Sequence, residues 1–161
     1  MEFSALRSRR GLEAMRILIV DDEAANLAAL TSLLGRAGYT NVWTSHDPTR
    51  AVARFGEIEP DLLLLDLHMP VMDGFQVLDA LRCRISDDDY LPVLVLTGDL
   101  EDGVRLQALA AGARDFLTKE PAFATEVALA ALYWISEGHG YDLTGQDVRD
   151  PYRYAHEGAR V

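Results

Sequence analysis

The sequence holds a single cysteine, Cys83, so no disulfide can form within it. That suits a reducing, cytoplasmic compartment. Basic residues are scarce beside acidic ones, 15 against 26, which leaves a formal charge of −11. Phosphate contacts need clustered Lys and Arg, so nucleic acid is not an expected partner. An anionic membrane surface is disfavoured for the same reason. No apolar run reaches the roughly 18 residues that a membrane-spanning helix needs. Arg7, Arg9 and Arg10 precede no apolar stretch of the kind a signal peptide carries. Internal repeats and low-complexity tracts are missing too. Lysine is almost absent: Lys119 is alone among fourteen arginines. An ammonium is a compact point charge that a planar guanidinium does not replace.

What is present is a chain of 161 residues, 49% apolar and 25% charged, enough for one domain with a real core. The charge sums to +1 over 1–15, −11 over 16–137 and −1 over 138–161, so the acidic excess lies in the middle segment. From residue 16, short apolar runs at 16–20, 42–46, 62–65, 91–96 and 114–118 read as buried strands. Helix-period segments fall at 24–37, 48–57, 74–84, 102–111 and 122–137. Unbroken apolar strands suit a parallel sheet covered on both faces. Five strand–helix repeats predict an α/β, doubly wound five-stranded parallel sheet. Gly38, Pro48, Gly74 and Gly112 punctuate the helices where this scheme requires. Met15 stands just before the first strand, so 1–14 reads as a disordered leader, 15–137 as the domain and 138–161 as a tail.

In an open parallel sheet, ligands bind at the carboxyl ends of the strands. Strand one ends in Asp21-Asp22-Glu23, strand three in Asp66, strand four in Thr97 and strand five near Lys119. Any one of these is an ordinary loop residue; the joint pattern is not. Carboxylates brought together repel, and a hard divalent cation such as Mg²⁺ is the natural offset. Lys119 adds a movable positive charge. The set reads as a place for Mg²⁺ and a phosphoryl group, with Asp66 as the nucleophile that forms an aspartyl phosphate.

Four segments resemble the receiver domain of bacterial two-component response regulators: ILIVDDE (17–23), LLLLDLHMPVMDG (62–74), VLVLTG (93–98) and AGARDFLTK (111–119). The resemblance covers about residues 15–137. It implies a flavodoxin-like strand order of 2-1-3-4-5 and a cytoplasmic phosphoacceptor signalling protein, an enzyme only toward its own phosphoryl group. A sensor histidine kinase would phosphorylate Asp66. Asp21, Asp22, Asp66 and the backbone carbonyl of His68 would hold Mg²⁺. Thr97 would donate its hydroxyl to the phosphoryl group and Lys119 would pair with it. Phe116 occupies the rotating aromatic position, so Thr97 and Phe116 would carry a surface change to a downstream protein target. His68 and Asp99 match positions that tune hydrolysis of the acyl phosphate.

The chain departs from the family pattern at Lys119-Glu120-Pro121, where Pro usually follows the lysine directly. Phe116 also lacks the hydroxyl of the commoner Tyr. His46 reads as a sheet-end residue and Cys83 as a small residue on helix three. The segment 127–135 is apolar all round, which predicts a homodimer through helix five and the tail, although Ala-rich helices also read this way. Two rivals stand beside the switch. One is an interaction module of the same fold that needs no phosphorylation, or a receiver whose output domain is absent. The other is an enzyme, an aspartate-based phosphatase or a flavin carrier. His68 stands where that phosphatase would need a second acid, and the acids after strand one would repel a flavin phosphate.

Overall fold

The computed structural model describes residues 14–85, 91–98, 102–113 and 115–118. The leader before residue 14, the acidic run 87–89, Asp99, Lys119, the Glu120-Pro121 step, helix five (122–137) and the tail lie outside them. The apolar runs form parallel strands β1 (Ile17–Val20), β2 (Val42–Ser45), β3 (Leu62–Asp66) and β4 (Val93–Thr97), in the order β2-β1-β3-β4. That order agrees with the expectation. The backbone of β5 (Asp115–Thr118) runs parallel beside β4.

Helices α1 (Ala24–Arg36), α2 (Pro48–Ile58), α3 (Gly74–Arg82) and α4 (Asp102–Ala110) alternate with the strands. Side chains alternate across a strand, so each apolar run feeds two cores. Ile17, Ile19, Leu62, Leu64, Leu94 and Leu96 face one side, where Leu27, Leu30 and Leu34 of α1 pack. Leu18, Val20, Leu63, Leu65, Val93 and Val95 face the other, against α2, α3 and Ala108 of α4. Helices on both faces explain why β1, β3 and β4 read as unbroken apolar runs. No helix among the described residues is long and apolar enough to cross a membrane.

The expectation of a buried strand at 42–46 needs correction. β2 is an edge strand and half-exposed, with the Arg54 guanidinium 5.6 Å above the ring of Trp43. A guanidinium over an indole face is attractive and shields the ring from water. β4 begins at Val93 rather than 91, because Pro92 has no N–H to give a ladder. Its carbonyl still accepts from the Leu63 N–H at 3.1 Å. Helix ends follow their signals. Pro48 opens α2 behind the N-cap Asp47, and Gly38 and Gly112, at φ 98° and 105°, follow α1 and α4.

At the amino end of the sheet, buried Asp61 accepts from the Arg16 N–H at 2.9 Å, and the Arg16 side chain reaches Glu59 at 3.3 Å. These bonds pin the start of β1 to the turn before β3, which keeps the two strands in register.

Candidate functional site

Val20 and Leu65 are the last registered pair of β1 and β3. Asp21 follows β1 directly and Asp66 is the last residue of β3, so both carboxylates emerge at the carboxyl edge of the central strands. Asp66 is registered with Leu96 of β4, and Thr97 follows. Asp21, Asp66 and Thr97 are buried, at 0%, 4% and 0% exposure, while Asp22 is exposed.

One carboxylate oxygen from each of Asp21, Asp22 and Asp66 lies within 4.8 Å of the other two. Opposite ligands of an octahedral Mg²⁺ are about 4.2 Å apart, given metal–oxygen distances near 2.1 Å. The all-oxygen donor set fits this hard ion, and the spacing comes close to that reach. A softer metal would want nitrogen or sulfur. The Glu23 N–H at the amino end of α1 is directed at Asp21, so the helix adds a partial positive charge beside the acids.

Short-range bonds hold these groups. The Asp21 N–H donates to the Ser45 carbonyl at 3.2 Å, which ties the end of β1 to β2. Asp21 Oδ1 accepts from the Glu23 N–H at 2.9 Å, and Oδ2 accepts from Asn26 Nδ2 at 3.2 Å. Asn26 Nδ2 also donates to Glu23 Oε2 at 2.7 Å.

After β3, the His68 N–H donates to Asp66 Oδ1 at 3.4 Å. The loop then closes on itself, with the Gly74 N–H donating to the Leu67 carbonyl at 3.0 Å. Asp73 and Gln76 cap α3 reciprocally: the Gln76 N–H donates to Asp73 Oδ1 at 2.8 Å and the Asp73 N–H to Gln76 Oε1 at 2.9 Å. The loop beside Asp66 is thus clamped where the strand ends and where the helix starts.

Of the residues expected from sequence, Asp21, Asp22 and Asp66 come together, and Thr97 stands at the end of the strand beside Asp66. The His68 side chain is exposed, while its backbone N–H donates to Asp66. Phe116 lies on β5, its backbone in register with Val95. Lys119 and Asp99 fall outside the described residues. His46 is exposed, one residue past β2, and Cys83 is the exposed C-cap of α3. Sequence reasoning missed Asn26. Its signal was spacing, because a polar residue three positions after an N-cap can reach back to the strand end.

A family model described as the response regulator receiver domain matches residues 17–131. Response regulator PleD of Caulobacter vibrioides is 44% identical over 108 residues, which are 65% of this chain and 22% of the relative. Response regulator MprA of Mycobacterium ulcerans is 41% identical over 119 residues, 74% of this chain and 49% of the relative. The chain therefore spans half or less of these curated relatives. Among solved structures, chemotaxis protein CheY4 of Vibrio cholerae superimposes with a TM-score of 0.66 at 32% identity. That match covers 76% of this chain and 99% of CheY4.

Proposed function

The chain belongs to the response regulator receiver family, and from that premise we propose that it is a phosphorylation switch in which Asp66 accepts a phosphoryl group from a sensor histidine kinase. The observation that carries this reading is the meeting of Asp21, Asp22 and Asp66 within 4.8 Å, beside buried Thr97 at the next strand end. Asp21, Asp22, Asp66 and the His68 carbonyl are the groups that would hold Mg²⁺. When bound, the ion supplies positive charge for the phosphoryl oxygens.

The residues divide the remaining work. An Asp66 carboxylate oxygen attacks phosphorus as the bond to the donor's nitrogen breaks. The Thr97 hydroxyl donates to a phosphoryl oxygen. In this reading Asp115–Thr118 is the fifth strand, completing the order 2-1-3-4-5. Lys119 follows it one position beyond the Thr97–Thr118 register pair and pairs with the phosphate. Movement of Thr97 and Phe116 then carries the change to a surface that binds a downstream protein. His68 and Asp99 set the lifetime of the acyl phosphate. The chain acts in the cytoplasm as a signalling protein rather than an enzyme on other molecules, as a homodimer through 122–137 and the tail.

Mg²⁺ with acetyl phosphate tests the reading by intact-mass measurement. A phosphoryl adduct is expected on the wild type, lost without Mg²⁺ and lost in Asp66→Asn. An unmodified wild type, or the same adduct in Asp66→Asn, would refute it.

A further inference from the structure

We propose that Asn26 is a positioning residue for the divalent cation, acting through the Asp21 carboxylate. The inference rests on the Mg²⁺ reading above and concerns a residue that reading does not use. The torsion that turns an aspartate carboxylate is broad, so the carboxylate rotates unless its oxygens are held. Here both are held: Oδ1 by the Glu23 N–H at 2.9 Å and Oδ2 by Asn26 Nδ2 at 3.2 Å. One of these donors is backbone and comes with any sequence that starts a helix here. The other depends on the side chain at position 26.

The chemistry of the amide suits the task. Its nitrogen carries two hydrogens, and they bridge Asp21 Oδ2 and Glu23 Oε2, the latter at 2.7 Å. Two carboxylates are thereby held by donors that carry no formal charge. An Arg or Lys here would compete with the cation for Asp21, and an Asp would repel it. Glu23 behaves accordingly. It is the N-cap of α1 but makes no side-chain capping bond, its carboxylate being turned to Asn26 instead. Helix α1 thus trades a cap for a brace on the acidic pocket. Groups that orient a metal ligand in this way typically change metal affinity 10–100-fold when removed.

Calorimetric titration of the full chain with MgCl₂ tests the proposal, alongside thermal melting in EDTA. Asn26→Leu keeps the shape and removes both donors; its Mg²⁺ dissociation constant is expected to rise about tenfold. Asn26→Gln restores a donor and is expected to recover most of that loss. In the wild type, the Asn26 side-chain amide resonance should move with the same Mg²⁺ midpoint that calorimetry gives, a readout that needs no variant to fold. An unchanged constant in Asn26→Leu, equal losses in the Leu and Gln variants, or an amide resonance indifferent to Mg²⁺ would each overturn the Asn26 role. A wild type that binds no Mg²⁺ would instead remove the reading on which it rests.

Discussion

A Cβ added to Gly74 would lie 2.6 Å from the carbonyl oxygen of Asp66 and 2.8 Å from the Leu67 Cα. Both atoms are backbone, so neither can swing away. Helix α3 therefore starts against the strand that carries Asp66, and only hydrogen fits between them. Gly74→Ala is expected to destabilise the protein by about 1–3 kcal/mol, the usual cost of overpacking. On the proposed Mg²⁺ role of Asp66 it should also weaken cation binding, because the clash is relieved by a shift of the Asp66 main chain. Urea unfolding and metal titration of the variant check the two effects. A variant as stable as the wild type would mean that α3 and β3 separate freely.

Tyr39 is buried beneath α1, and its hydroxyl has no hydrogen-bond partner among the described residues. A buried hydroxyl without a partner carries a desolvation cost. Tyr39→Phe is thus expected to hold or raise stability at neutral pH, by up to about 1 kcal/mol in urea unfolding. Burial also pushes the phenol well above its usual ionisation range. The unfolded chain releases that proton above about pH 10 while the folded chain keeps it, so folding weakens as pH climbs. The slope from this one group is up to about 1.4 kcal/mol per pH unit, and Tyr39→Phe should remove it.

Val71 sits in the loop between Asp66 and α3 with φ at 71°, and it is 93% exposed. A β-branched side chain strains that backbone, and solvent returns no packing for it. Val71→Asn is expected to stabilise the fold by about 1 kcal/mol, since Asn tolerates the left-handed region. The midpoint of urea denaturation reads the gain. A loss would show that the valine contacts something it is credited here with avoiding.

Asp47 caps α2, accepting from the Thr49 hydroxyl at 2.6 Å and from the Thr49 and Arg50 N–H groups at 2.9 and 3.4 Å. The Thr49 hydroxyl bond, with help from the Arg50 and Thr49 N–H groups and the Arg50 charge, holds its carboxyl below the ordinary range. A lowered value means that the stabilisation is present above about pH 4 and fades as acid protonates the folded form. Asp47→Ala should melt at a lower temperature than the wild type at pH 7, with the gap narrowing toward pH 3. Melting curves at the two pH values decide it.

Much of this was legible in the chain because burial leaves a plain mark. Isoleucine, leucine and valine run without interruption where both strand faces are covered, and they stop where Asp21, Asp66 and Thr97 meet the edge. The exposure of Trp43 was not legible, because an edge strand is defined by its neighbours and not by its own residues. Asn26 was missed for a related reason. Its partner Asp21 lies just past β1, before the helix, and the bond exists only once the chain turns into α1.

By itself the sequence determined the alternation of strands and helices, the parallel sheet with covered faces, and the acids at the strand ends, since hydrophobic period and local capping encode these directly. Only the tertiary structure decided which carboxylates share one pocket, that Gly74 must yield room to the Asp66 carbonyl, and that Asn26 braces Asp21 and Glu23. The first two are distances between atoms on different elements, and the third depends on how the chain turns from β1 into α1. They depend on register, on loop path and on how closely a helix approaches a strand, and no residue carries that information alone.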